Sequence, residues 1–363
     1  MTVPLPSALP PGSTIGILGG GQLGRMLAEA ASTLGFDTVI LEPQKNCPAS
    51  RVAARHIQAD YDDVDGLKAL AAACDVVTTE FENVPASVVA ILEAEGVRVA
   101  PNGRALAVAQ DRVEEKTYLN RVGATTVDFR KVDNLDDLTA AIEALGLPAL
   151  LKTRREGYDG KGQVWIRDMA DATAALESLG GRPSILEAAA RFSRELSVIA
   201  ARGTDGAVAV YPLGQNIHEN GILRTTIAPA DNVDADTQVR AVDIATNILN
   251  GLDYVGVIGV ELFDLGDRLL VNEIAPRVHN TGHWTQDGCG CDQFEQHIRA
   301  IAGWPLGSTK PHAKVEMTNL LGDEINDWPT LAANPSNHLH FYGKHEARAG
   351  RKMAHVNKVL EDL

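Results

Sequence analysis

Cysteine is scarce in this 363-residue chain: Cys47, Cys74, Cys289 and Cys291 are too few and too scattered for a disulfide framework. A reducing compartment is expected. No run of 18 or more apolar residues occurs, and residues 1–12 are Pro-rich with neither a basic segment nor an apolar stretch for export. That argues against a membrane span and a secretory leader, and for the cytoplasm. Positive charge is also in deficit, since 33 basic against 48 acidic residues leave a formal charge of −15 that repels nucleic-acid backbones. Internal repeats, heptads and low-complexity tracts are missing, and so is a Walker-type loop, so a P-loop fold is not expected. Cys289 and Cys291, with His279, His283 and His297 near in sequence, raise the idea of zinc. Their spacing matches no zinc pattern, and incidental or buried thiols are the preferred reading.

What is present is enough apolar residue, 45%, to build a substantial core in two or three domains. Thr14 to Leu18 reads as a strand, Gly19-Gly20-Gly21-Gln22-Leu23-Gly24 opens a helix to about Leu34, and Thr38 to Leu41 reads as a second strand. With further strands at Val76 to Thr79 and Val97 to Ala100, residues 13–110 are expected to form an α/β unit on a small parallel sheet. Asp111 is a helix N-cap candidate, with Glu114 placed to reach back to the cap amide. Residues 111–305 then mix helices such as Leu135 to Leu145 with strands such as Ser197 to Ala201 and Val255 to Phe263, an α+β pattern. A short tail, 306–363, carries a basic cluster.

Three constellations point to chemistry. Gly19-x-Gly21-x-x-Gly24 after a strand, with Glu42 ending the next strand, fits a dinucleotide fingerprint, but its amides would serve any phosphorylated ligand. Gly157-Tyr158-Asp159-Gly160-Lys161-Gly162, five residues after Lys152, reads as a mobile lid over polyphosphate, with Lys152 and Lys116 as further phosphate candidates. Val257 to Phe263 and Leu269 to Ile274 flank Leu265-Gly266-Asp267 as a hairpin, which sets Glu261 opposite Asn272 or Glu273, about 5 Å across. Two carboxylates converging among apolar residues suit Mg²⁺. Arg277 and His279, directly downstream, are placed to hold a second anion.

These pieces come in the order of an ATP-grasp enzyme. The sequence resembles the carboxyaminoimidazole ribonucleotide synthetase family in Gly19 to Gly24, Thr79-Glu80-Phe81-Glu82-Asn83-Val84, Gly157 to Gln163 and Gln215 to His218. The likeness continues through Ile222 to Thr225, Asn272 to Trp284, Tyr342-Gly343-Lys344 and Arg351-Lys352-Met353. It implies an ATP-grasp fold: a Rossmann-like pre-ATP-grasp domain over 13–110, an ATP-grasp domain with a glycine lid over 111–305, and a small carboxy-terminal domain over 306–363. The implied reaction joins ATP, bicarbonate and 5-aminoimidazole ribonucleotide into N5-carboxyaminoimidazole ribonucleotide, through carboxyphosphate, in purine biosynthesis.

The resemblance assigns Arg112, Lys152, Gly157 to Gln163, Glu187, Ala188, Ala189, Ala190, Glu195, His218, Asn272 and Glu273 to ATP. Glu187 would accept from the adenine amine and Glu195 from ribose hydroxyls. Glu261 and Glu273 would ligate Mg²⁺, while Tyr158, Lys161, Arg277 and His279 would surround the reacting groups. The ribonucleotide would lie on the first glycine loop, contacted by Gln22, Leu23, Glu82 and Asn83, with its phosphate on Lys344, Arg351 and Lys352. A homodimer is implied. Glu156, where glycine or an aromatic would look more typical, and the small Ala190 depart from the pattern. Two other readings are a formate-using transformylase of the same architecture and a nicotinamide oxidoreductase; the second leaves lid, hairpin and basic tail unexplained.

Overall fold

The computed structural model describes residues 8–157 and 161–363. Five parallel strands form the first sheet in the order Arg55–Ile57, Asp37–Leu41, Thr14–Leu18, Val76–Thr79, Arg98–Val99. The strands are apolar on both faces because helices cover both: Ile15, Ile17 and Ile40 pack on one side with helix Gln22–Thr33, and Leu18, Val39 and Val77 on the other. Chain order reverses between Thr14–Leu18 and Val76–Thr79. In such a sheet the crevice beyond the carboxyl ends of these two strands is the ligand position. Gly19 to Gly24 and Glu80 to Asn83 lie there, one segment after each strand.

A second, antiparallel sheet orders Phe129–Val132, Ser184–Ala188, Ala149–Thr153 and Gln163–Ile166, with Leu138 and Ile142 of helix Leu135–Leu145 packed on Leu151, Ile166 and Leu186. The remaining nine strands make one large sheet. It runs Leu269–Ala275, Gly256–Asp264, Arg194–Arg202, Gly214–Glu219, Ile222–Ala228, Ala313–Leu321, Lys352–Asp362, Asn337–Phe341, and Val208–Val210 pairs with Arg194–Arg202 off this path. The basic tail is therefore joined to the hairpin sheet by strand pairing, Thr225 opposite Thr318. No helix among the described residues is long and apolar enough to cross a membrane.

Local expectations meet the structure closely. Helix Leu135–Leu145 and strands Thr14–Leu18 and Val76–Thr79 have the bounds read from sequence. Asp111 caps helix Arg112–Arg121 through the Val113 amide at 3.0 Å. Its carboxylate also takes Arg154 at 3.0 and 2.7 Å, so the cap is anchored by a guanidinium as well as by the helix itself. Glu156 has φ +64°, a left-handed conformation that strains any residue with a Cβ, which is the physical reason glycine would suit the position.

Candidate active site

The hairpin of Gly256–Asp264 and Leu269–Ala275 carries the centre of the site. Glu261 pairs with Glu273, yet Leu262 pairs with Val271, so Asn272 is an extra residue in a β-bulge. The bulge breaks the alternation of the strand: Val271 and Ile274 both enter the core, and the two residues between them, Asn272 and Glu273, stay on the half-buried polar side. Of the two registers left open by the sequence, this one puts the carboxylates opposite each other. Asn272 Nδ2 donates to Glu261 Oε2 at 3.3 Å. Asn272 Oδ1 is buried without a hydrogen-bond partner.

Electrostatics separates the two acids. Burial and the charge of Glu273 push Glu261 up to about 7. Burial also acts against ionised Glu273, but Arg112, whose guanidinium donates to Glu273 Oε2 at 2.7 Å, holds it at about 2. Arg112 also donates to Gly157 O at 3.2 Å, so one guanidinium joins the acidic pair to the base of the lid. Two opposed carboxylates and an orphaned amide oxygen are hard oxygen donors that fit Mg²⁺. Among the described residues no group of three or more histidine, cysteine or carboxylate side chains is arranged to hold a metal ion by itself, so phosphate oxygens or water would complete the shell. The Cys289 and Cys291 sulfurs lie instead against Thr309 O and the Gln296 side chain, at 3.9 and 3.5 Å.

Beside this pair lies a buried ionic triad. Lys152 Nζ stands 2.8 Å from Glu187 Oε2 and Lys116 Nζ 3.3 Å from Glu187 Oε1, while Lys116 also donates to Asn272 O at 3.0 Å. Burial opposes the Glu187 charge, but the two ammoniums bring it down to about 2. Both its carboxylate oxygens stand within ion-pair range of a lysine, but Oε1 makes no hydrogen bond and is the acceptor that remains for the expected adenine amine. Ala188, Ala189 and Ala190 follow half-exposed, and the rings of Phe192 and Phe263 stack 4.5 Å apart beside Glu195. His218 Nδ1 is 2.5 Å from Glu195 Oε2; burial disfavours its proton, and this carboxylate wins, raising its pKa.

On the lid, Tyr158, Asp159 and Gly160 lie outside the described residues. Gly162 has φ +72°, and a Cβ there would stand 2.8 Å from Thr153 Oγ1, so the return of the lid requires glycine. Lys161 is exposed, and Gln163 opens a strand opposite Lys152.

The first glycine loop is closed differently from expectation. The Gly21 and Gly24 amides donate to the Glu80 carboxylate, the latter at 2.6 Å, and the Gly20 amide donates to Glu42 at 2.9 Å. The anion in this cradle belongs to the protein, and these amides are not available to a phosphate. Glu42 also accepts from the Tyr61 hydroxyl, which likewise removes it as a ribose acceptor. The Leu23 side chain is buried in the core, so a ribonucleotide contact at this residue falls to its backbone. Gln22 and Glu82 are half-exposed and Asn83 exposed at the same crevice. Arg277 Nε donates to Glu82 at 2.5 Å, bringing two expected site residues together as an ion pair. His279 packs so tightly on Gly259 that a Cβ there would lie 2.6 Å from its own Cβ. Burial and Arg277 hold its imidazole down to about 3, hence neutral, with Nε2 at 3.6 Å from Glu261.

From the tail, Lys344 Nζ donates to Lys352 O at 2.6 Å, and the Lys352 charge is felt by both His218 and His279. Arg351 turns to the Glu346 carbonyl, 2.9 Å away, on the outer turn. Arg25 and Arg51, which sequence reasoning missed, approach the same turn: a Cβ at Gly343 would meet their guanidinium nitrogens at 3.1 and 3.4 Å, and Arg51 bonds His345 at 2.6 Å. Arg25, directly after the glycine loop, was the available signal. A separate groove of about 700 Å³ along Val208 to Val210 and Gly307 to Pro311 has no carboxylate or imidazole in its lining and offers none of this chemistry.

Three family models match the chain: the ribonucleotide synthetase preATP-grasp domain over residues 13–110, the ATP-grasp domain over 117–294, and the phosphoribosylaminoimidazole carboxylase C-terminal domain over 316–363. The N5-carboxyaminoimidazole ribonucleotide synthase of Brucella melitensis is 51% identical over 356 residues, covering 97% of this chain and 98% of the relative. A crystal structure of N5-carboxyaminoimidazole ribonucleotide synthetase as its ADP complex has a TM-score of 0.94 at 41% identity, covering 98% of this chain and 94% of the other. The synthase of Aspergillus clavatus in complex with ADP and 5-aminoimidazole ribonucleotide gives 0.90 at 32%, covering 96% and 94%. With identity this high over nearly the full length of both partners, the oxidoreductase and transformylase readings fall away, and the chain belongs to the N5-carboxyaminoimidazole ribonucleotide synthase family of ATP-grasp ligases.

Proposed function

We propose that this chain uses ATP and bicarbonate to carboxylate the exocyclic amine of 5-aminoimidazole ribonucleotide, in purine biosynthesis, forming N5-carboxyaminoimidazole ribonucleotide, ADP and phosphate. The observation that carries it is the opposed Glu261 and Glu273 pair, set between the buried Lys116, Lys152 and Glu187 triad and the Arg277 and Glu82 ion pair at the sheet crevice. One flank suits a nucleotide polyphosphate, the other a second substrate.

On the nucleotide side Lys152 and Lys116 offer positive charge to phosphates, with Glu187 as the fixed counter-ion that keeps both ammoniums in place. Ala188 to Ala190 recognise adenine through their backbone, and Glu195, oriented by His218, accepts from ribose. Glu261, Glu273 and the Asn272 amide oxygen would hold Mg²⁺, which when bound neutralises phosphate oxygens during transfer. Arg112 couples the acidic pair to the lid at Gly157, so the lid with Tyr158 and Lys161 closes over an ordered site and excludes water.

Bicarbonate oxygen takes the γ-phosphoryl group as its bond to ADP breaks. The amine nitrogen then forms a bond to the carboxyl carbon of carboxyphosphate, or of CO₂ released from it, phosphate departs and the nitrogen gives up a proton. Arg277 and the neutral His279 flank this step, Arg277 oriented by Glu82. Gln22 and Asn83 lie on the ribonucleotide side, and its phosphate is taken by Lys344 and Lys352, with Arg351 joining them by leaving the Glu346 carbonyl. The three units are taken as 13–110, 111–305 and 306–363, acting as a cytoplasmic homodimer as the family resemblance implies.

Phosphate release from ATP with Mg²⁺ and bicarbonate, with and without 5-aminoimidazole ribonucleotide, tests the reading, with formate and glycinamide ribonucleotide as the rival pair. Stimulation by the aminoimidazole compound is expected; stimulation only by the rival pair would refute it. Lys344→Ala should raise the KM for the ribonucleotide about tenfold or more, roughly 1.4 kcal/mol, and leave that for ATP unchanged. Equal loss for both substrates would remove Lys344 from the phosphate contact.

A further inference from the structure

Leu269–Ala275 is the edge strand of the large sheet and so has a row of backbone groups unpaired within it, on either side of the bulge at Asn272. Each of three such groups meets a partner from the segment that begins with helix Arg112–Arg121. Ile274 N donates to Glu115 Oε1 at 2.7 Å, Asn272 O accepts from Lys116 Nζ at 3.0 Å, and Val271 N donates to Thr125 O at 2.8 Å. Glu115 is 2% exposed and makes its bond one residue beyond Glu273. A buried carboxylate is a costly way to end an edge strand unless its position matters. Serine or asparagine could satisfy an amide more simply.

We propose that Glu115 is a positioning residue for the metal pair: its bond to the Ile274 amide fixes the end of the bulge and so holds Glu273 opposite Glu261. The inference rests on the reading of Glu261 and Glu273 as the Mg²⁺ carboxylates. It assigns no contact between Glu115 and substrate or metal. What the position needs is a buried acceptor of the right length, so glutamine meets it and methionine, of similar length but without an acceptor, does not.

The test is the Mg²⁺ concentration for half-maximal phosphate release at saturating ATP and ribonucleotide in the full chain, with kcat read at saturating Mg²⁺; the dissociation constant of Mn²⁺ with ADP bound, read by electron paramagnetic resonance without turnover, should change in parallel. Glu115→Met should raise that concentration about tenfold while kcat falls less than threefold, and Glu115→Gln should remain within twofold of wild type. A wild-type Mg²⁺ requirement in Glu115→Met overturns the inference, and so does a tenfold change in Glu115→Gln, which would mean that charge and not the bond is needed. Should the methionine variant fail to fold, the glutamine variant still decides on that second criterion. Glu273→Gln distinguishes the two levels. If it leaves the Mg²⁺ requirement unchanged, the metal reading itself fails; if it abolishes the response while Glu115→Met behaves as wild type, only the positioning role fails.

Discussion

Glu273→Gln is expected to cut ribonucleotide-dependent phosphate release on the order of 10³-fold or more, without loss of the fold. The substitution keeps the shape and the bulge, since the strand pairing is made by backbone and the Ile274 amide bonds the Glu115 side chain, neither of which uses the Glu273 carboxylate. What it removes is the charge that Arg112 faces at 2.7 Å and that, with Glu261, would help hold a cation. Arg112 is only 16% exposed, but it still donates to Gly157 O and lies in the field of Glu115 and Glu187, so a modest stability loss is expected. A second effect has a definite sign. Burial and Glu273 together hold Glu261 near 7, so with Glu273 neutral the Glu261 carboxyl should titrate lower. Residual activity, if measurable, should therefore persist to lower pH than in wild type. Retention of activity within tenfold, assayed at saturating Mg²⁺ and ATP, would remove Glu273 from the chemistry.

Much of this arrangement was legible in the sequence for identifiable reasons. The hairpin followed from two apolar runs around Leu265-Gly266-Asp267, and strand pairing at fixed spacing then forced Glu261 and Glu273 near each other. The bulge was not legible, because an inserted residue shows only in the partner register, and it decides that Asn272 and Glu273 share a face. Gly19 to Gly24 announced an anion at a helix start. Which anion it was depends on Glu80, 56 residues beyond Gly24, and no local pattern separates an internal carboxylate from a phosphate. The same limit hid the ion pairs of Glu187: strand Ser184–Ala188 lies beside Ala149–Thr153, which carries Lys152, and helix Arg112–Arg121 brings Lys116. Arg25 and Arg51 reach the tail only because the first domain folds against it.

Glu187→Ala should be the most destabilising change in the site, by about 3–5 kcal/mol, because it leaves Lys116 and Lys152 buried without a counter-ion. The pH dependence follows from the carboxyl. Its ordinary value of 4.5 falls to about 2 in the folded chain, a difference of about 3 kcal/mol. A depressed carboxyl contributes above its unfolded value and loses the contribution as pH drops through the folded one. The gap in denaturant stability between wild type and Glu187→Gln should thus be full above about pH 5 and close toward pH 2. Burial holds the Lys116 pKa down, which means the triad as a whole contributes less than the Glu187 carboxyl alone. Replacing all three, Lys116→Met, Lys152→Met and Glu187→Met, should accordingly cost far less than Glu187→Ala by itself and still abolish ATP binding by calorimetry. That outcome would locate the purpose of the buried charges in holding nucleotide. Near-normal ATP affinity in the triple variant would contradict it, and a Glu187→Ala loss below about 1 kcal/mol would show that the lysines find other compensation.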